Sequence, residues 1–343
     1  MKRITTVAAT LVLVAVAAGV TYRHEMRRSP APEVKAPSVD QPRRASDVTL
    51  LKARLHGSVV KPSVGTLDWH SEFLKAQDYF TFVGTAALAA QNGDPRASYY
   101  VGRALTECAL VKNKYQDSPD PEGALRDEIA GLPKMPQWVQ DQRFKQLHLC
   151  IRLAKEDPFD KLPKREGGYW DSKYWYNQAL AGHDPLAQID AAATTLSSLS
   201  ANASNYDDIN SAESNIRSAL ASRDPAALFR VGLFLTNPTY SADPLRGAAM
   251  ALAACDLGYD CSSNNPENFF SICRESAQCP ADADLGYYLK QSLGDQRFAQ
   301  AYARAQQLID SLAQSDASLL EPFIQINGTI AANVSKGNNN PVN

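Results

Sequence analysis

Between Leu67 and Ala332 no stretch of this chain alternates apolar and polar residues over the length of a strand, so a half-buried β-sheet is excluded there. It also has no Gly-x-Ser-x-Gly elbow, His-Glu-x-x-His, phosphate-binding glycine loop, Cys-x-x-Cys pair or dinucleotide fingerprint. Those gaps exclude several enzyme classes, but not glycosidases, whose paired carboxylates no short motif announces. No catalytic residue is assigned. No cysteine precedes Cys108, which excludes a lipid-modified N-terminal cysteine. Histidine is scarce, with five in 343 residues, and none lies near Cys255, Cys261, Cys273 or Cys279, whose five-residue gaps are too wide for zinc. The sequence therefore calls for neither metal nor cofactor. A basic excess is confined to residues 1–54, which hold ten Lys and Arg against four Asp and Glu, whereas residues 55–343 hold 25 against 33. The acidic balance of that larger part argues against nucleic acid as a partner.

What is present begins with an export pattern. Met1-Lys2-Arg3 precedes an uncharged run from Ile4 to Val20, and Ala15-Val16-Ala17 offers a small-x-small cleavage site. The same run, from Ile4 to Tyr22, approaches the length of a membrane span and is followed by Arg23, Arg27 and Arg28, so residues 4–22 also fit an inner-membrane anchor. Both fates place the rest of the chain in the periplasm or otherwise outside the cytoplasm. Residues 1–22 are thus read as signal peptide or anchor. The 23–54 segment, with Pro30, Pro32, Pro37 and Pro42 and few large apolar residues, is read as a flexible linker. Residues 55–334 are expected to form one helical domain, and 335–343 a disordered tail. An even count of six cysteines behind an export signal points to disulfides. Cys108 and Cys150 are expected to pair; the last four allow three connectivities, with Cys255–Cys261 and Cys273–Cys279 favoured.

One phrase recurs: Asp94-Pro95-Arg96-Ala97, Asp184-Pro185-Leu186-Ala187 and Asp224-Pro225-Ala226-Ala227. Each follows an Ala-Leu-Ala stretch, at 87–89, 179–181 and 219–221. Asp is a favoured helix cap and Pro a favoured first helical residue, so one helix stops and another starts at each copy. Apolar spacing of three and four predicts helices over 67–92, 95–112, 121–130, 136–155, 169–182, 185–200, 206–222, 225–236, 243–258, 266–276, 282–293, 295–314 and 317–333. Asp184 and Asp224 lie 40 residues apart, and Asp260 a further 36, periods that mean stacked helix pairs. Asp94 to Asp184, at 90 residues, does not fit that period. Gly102 and Gly232, expected in mid-helix at a cost of about 1 kcal/mol relative to Ala, predict close helix–helix contacts.

These residues resemble the Sel-one-like repeat, a relative of the tetratricopeptide repeat. Trp175-Tyr176-Asn177-Gln178-Ala179-Leu180-Ala181-Gly182 matches the second half of its pattern; Ala227, Val231, Gly232 and Phe234, and again Ala97, Val101 and Gly102, match the first. The likeness covers 85–112 and 169–260. It departs where Ala191-Ala192 replaces Val-Gly. It implies an α/α repeat solenoid that assembles other proteins and has no catalytic residues of its own.

The densest aromatic group is Tyr169, Trp170, Tyr174, Trp175 and Tyr176 behind Gly167-Gly168. Trp175 and Tyr176 fall on packing positions. Trp170, Tyr174 and Tyr169 are the candidate binding residues, because Tyr and Trp pair a wide apolar face with a polar tip. His56, His70 and Glu72 are polar candidates that a first helical turn capped by Asp68 explains equally well; His148 and His183 are read as structural. Asn202, Asn327 and Asn333 fit the glycosylation acceptor pattern, silent in a bacterial envelope. The expected role is that of an envelope scaffold or adaptor binding another envelope protein, the alternative being a protein that binds or cleaves cell-wall glycan.

Overall fold

A computed structural model describes residues 67–131, 137–199, 206–237, 240, 241, 243–263, 265, 268, 280 and 283–314, all within the compact unit 51–343. The expected signal, linker and tail, the helix at 317–333, all of that at 266–276 but residue 268, His56, the three glycosylation acceptors, Cys273 and Cys279 lie outside them.

The described residues are all-α. Their helices are α1 (Trp69–Lys75), α2 (Tyr79–Gln91), α3 (Pro95–Tyr115), α4 (Pro121–Ala130), α5 (Gln137–His148), α6 (Ile151–Lys155), α7 (Ser172–Ala181), α8 (Pro185–Leu199), α9 (Tyr206–Ala221), α10 (Pro225–Leu235), α11 (Pro244–Asp256), α12 (Leu285–Leu293) and α13 (Asp295–Gln314). Two spans expected to be single helices are broken. Residues 67–92 divide at Ala76–Asp78, where Asp78 accepts the backbone N–H of Thr81 at 2.7 Å and starts a new helix. Residues 136–155 divide at Leu149 and Cys150. The breaks meet: the N–H of Tyr79, an orphan at the start of α2, donates to the carbonyl of Leu149 at 2.9 Å.

The recurring phrase has a definite backbone. Gly93, His183 and Arg223 adopt positive φ, at 90°, 59° and 56°, and so end α2, α7 and α9 with a left-handed residue. In two cases the following Asp closes the helix behind it, Asp94 N–H donating to Ala89 O at 3.2 Å and Asp184 N–H to Ala179 O at 2.9 Å. The Asp side chain then caps the helix ahead. Its Oδ1 accepts Ala97 N–H in the first copy, Leu186 and Ala187 N–H in the second, and Ala226 and Ala227 N–H in the third. One residue thus turns the chain from helix to helix. Asp120-Pro121 and Asp243-Pro244 open α4 and α11 in the same way. At Asp260, where the period predicts a further copy, Gly258 (φ 107°) ends α11, and the Asp carboxylate accepts from Ser262 N–H.

The second carboxylate oxygen of these caps looks outward to another helix. Oδ2 of Asp94 accepts the indole N–H of Trp69 at 2.7 Å. Oδ2 of Asp184 and of Asp224 both accept from Arg96, at 2.5 and 2.6 Å. Oδ2 of Asp243 pairs with Arg304 of α13. Asp184 is only 2 % exposed. Burial pushes its carboxyl upward, and Arg96 opposes that. Burial also works against the Arg96 charge, but Asp224 and Asp184 together outweigh it and hold the guanidinium more firmly protonated than usual. Nearby, Asp190 accepts the Tyr99 hydroxyl at 3.0 Å and pairs with Arg230 at 2.7 Å.

Many helices pack on their neighbours in the chain, but α11 also packs on α13 and α3 on α6. α2 packs on α3, α7 on α8, α8 on α9, and α10 on α11, while α3 packs directly on α7. Residues 116–171, with α4, α5 and α6, thus lie in the chain between two helices that pack on each other, and α6 packs back on α3. Glycine sets the closest approach. A Cβ on Gly232 of α10 would lie 2.5 Å from Ala251 N and 2.8 Å from Gly247 O of α11, and one on Gly247 would lie 2.6 Å from Gly232 O. At Gly102 the contact is looser, 3.2 Å to Ser172 O and 3.3 Å to the Tyr176 ring. Both expected close contacts are present. Trp175, 0 % exposed, and Ala179 are the buried residues of α7.

Candidate functional site

The candidate aromatic residues lie ahead of and within α7. The expected helix over 169–182 begins only at Ser172, because Gly167 and Gly168 at φ 79° and 67° turn the chain and Asp171 caps Lys173 N–H. Tyr169 and Trp170 therefore stand in a loop. Its anchors are the indole N–H of Trp175 on Tyr169 O (2.8 Å), the Tyr169 hydroxyl on Pro163 O (2.8 Å) and Arg165 on Gly168 O (2.6 Å). Tyr169 is 8 % exposed and packs on Phe159 and Trp175, so it is a floor to the cluster and presents no open face.

Trp170 and Tyr174 are half-buried, and each ring carries a cation. The Lys112 ammonium sits 2.8 Å from the centroid of the Trp170 ring, and the Arg165 guanidinium 3.7 Å from that of Tyr174. Phe159 meets Trp170 edge-on, and Gln91 donates to the Tyr174 hydroxyl at 3.2 Å. Such cation–ring contacts are worth about 0.5–1 kcal/mol at exposed sites and more when desolvated. They leave a positively charged aromatic rim. Tyr176 packs partly buried against the core, and burial pushes its hydroxyl up to about 12.

Beside Trp170 lies a cleft of about 220 Å³. Leu105, Cys108, Ala109, Lys112 and Asn113 of α3 form one wall, at the three- and four-residue spacing of a single helix face. Leu153 of α6 and Trp170 form the others. The Cys108–Cys150 disulfide, with Cα atoms 5.1 Å apart, ties the start of α6 to this wall. Burial lowers the pKa of Lys112, and Asp157 partly opposes this. No carboxylate lines the cleft. Lys112 stands four residues after Cys108, so helical spacing points to it; Leu153 and Asn113 carry no such signal.

The other polar candidates serve the fold. Asp68 caps α1 by accepting Ser71 N–H at 3.2 Å, with Glu72 in the first turn. His70 Nδ1 is 2.6 Å from the Tyr100 hydroxyl, and its ring stacks on Tyr259, which stacks in turn on Phe229. His148 ends α5 with Nε2 3.4 Å from Glu122, and His183 is the left-handed residue before Asp184. The second disulfide joins Cys255 to Cys261. Among the described residues no group of three or more His, Cys, Asp or Glu side chains is arranged to hold a metal ion, and no helix is long and apolar enough to cross a membrane.

Comparison of the chain with protein-family models, with curated proteins and with solved structures finds no match.

Proposed function

We propose that this chain is an extracytoplasmic scaffold or adaptor, an α/α solenoid of Sel-one-like helix pairs that binds another envelope protein. The observation that carries the reading is the meeting of the three Asp-Pro starts. Arg96, two residues into the first copy, reaches the caps of the second and third, so the copies stand side by side with their helix starts at one edge. Stacked repeats of this kind present extended surfaces suited to protein partners. The two disulfides accord with an oxidising compartment.

The glycan alternative needs open aromatic faces for stacking or paired carboxylates for cleavage. Lys112 and Arg165 occupy the rings of Trp170 and Tyr174, and the cleft beside them has no carboxylate, so the protein-binding reading is favoured. The test is capture from envelope extract with the full chain as bait and its reduced, denatured form as control, with proteins and glycan fragments both identified. Reproducible retention of a protein by the folded bait alone is expected. Retention of glycan alone, or of nothing, overturns the proposal.

A further inference from the structure

We propose that the cleft between α3, Leu153 and Trp170 is a docking site for a linear peptide segment that carries an aliphatic side chain next to an acidic residue. This rests on the scaffold reading above and names the chemistry of the partner at one place on it.

Three features converge there. The floor and walls are apolar, from Leu105, Cys108, Ala109, Leu153 and the indole of Trp170. The volume, about 220 Å³, is below the roughly 300–1,000 Å³ of small-molecule and cofactor pockets, and suits a single inserted side chain. At one end stands the Lys112 ammonium. It lies over the Trp170 ring, and no carboxylate of the described residues is within ion-pair distance of it; Asp157 acts on it only from farther away. An ammonium that burial penalises and no carboxylate pairs is left with unmet demand for an anion. The Asn113 amide beside it adds a donor and an acceptor. An aliphatic side chain fills the apolar part, and a neighbouring carboxylate meets Lys112. The site is also stiff: the Cys108–Cys150 bond and the Trp175 to Tyr169 hydrogen bond fix both of its sides, so little ordering cost falls on binding.

The experiment uses the full chain and a fluorescein-labelled, C-terminally amidated hexapeptide, Ser-Gly-Leu-Glu-Gly-Ser, with two control peptides replacing Glu by Gln and Leu by Ala. The Leu-Glu peptide is expected to bind best. The Gln control should weaken binding by up to about fivefold, the scale of an exposed ion pair, and the Ala control by about tenfold or more, the scale of a lost buried aliphatic group. Lys112→Gln should abolish the preference for Glu over Gln while leaving that for Leu over Ala. Ala109→Phe, at an exposed position, should fill the cleft and abolish binding with the melting temperature retained. If Ala109→Phe unfolds the chain, the Lys112→Gln comparison decides alone. Equal binding of the three peptides, no binding of any, or a Glu preference that survives Lys112→Gln overturns the inference. Envelope capture separates the two proposals: a protein retained equally by the parent chain and Lys112→Gln sinks the cleft alone, whereas capture of no protein by the parent sinks the scaffold.

Discussion

Arg96 and Asp224 are 128 positions apart in the chain and 2.6 Å apart in space. The same guanidinium holds Asp184, so one side chain joins three helix starts that the sequence shows only as a repeated phrase. Each Asp divides its carboxylate, one oxygen for the helix it begins and one for a neighbour.

Arg96→Ala should therefore do more than remove a surface charge. It leaves the nearly buried Asp184 carboxylate unpaired, a loss typically of about 3–5 kcal/mol. The effect should depend on pH in a definite sense. The Asp184 pKa is raised by folding, and loss of Arg96 raises it further, so the folded state binds the extra proton and stability falls as pH rises from the unfolded pKa through the folded one. The gap between variant and parent should narrow on acidification and be widest near neutrality. Urea midpoints for both proteins across the acidic range check this; a constant gap contradicts it.

Glycine contacts give a graded pair. Gly232→Ala forces a methyl group onto backbone atoms of α11 that cannot yield, and should cost about 1–3 kcal/mol, with Gly232→Leu worse. Gly102→Ala meets a carbonyl and the edge of a ring at 3.2–3.3 Å, tight contacts that need a shift of a few tenths of an ångström, but it gains helix propensity, so its net effect should lie within about 1 kcal/mol of zero. Melting temperatures of the three variants order them.

The disulfides should differ in weight. Cys108–Cys150 spans 42 positions and Cys255–Cys261 only 6, so chain entropy assigns them about 4 and about 2 kcal/mol. Cys108→Ser should consequently lower the urea midpoint more than Cys261→Ser. Peptide mapping without reduction should recover both bridges from the parent.

His183 is exposed and carries a left-handed backbone that favours glycine. His183→Gly should leave the Asp184 cap intact and raise stability by up to about 1 kcal/mol, the scale of the left-handed penalty. A fall in melting temperature would show that the imidazole contributes there.

A reporter active only after export, fused behind Asn343, should be functional if the proposed compartment is right. Activity of a cytoplasmic reporter at the same position, with the exported one silent, contradicts it.

Local signals carried much of this fold. Asp-Pro starts, Ala-rich ends and mid-helix glycines act within a few residues, and they mark α3, α8 and α10 and their close contacts from the sequence. The breaks at Ala76–Asp78 and Leu149–Cys150 escaped because their stabilisation is shared: Tyr79 N–H and Leu149 O satisfy each other across 70 residues of chain. Arg96 escaped for a similar reason. An arginine in a first helical turn reads as a solvated charge until its acceptors arrive from two other helices. At the site, the aromatic cluster was legible, but the role of each ring was not. Tyr169 and Trp170 are adjacent in sequence, yet the glycine turn before them buries one and leaves the other against Lys112.

The cleft takes its walls from two separate parts of the chain. One wall belongs to α3, which packs on α2 and α7; the facing wall, Leu153 and Trp170, comes from residues 116–171. Exchange of that segment for another could retune what is bound without touching the Asp and glycine contacts that align the helices. The Cys108–Cys150 bond would be the rivet across which such an exchange is made. Recognition and architecture would then be free to change at different rates.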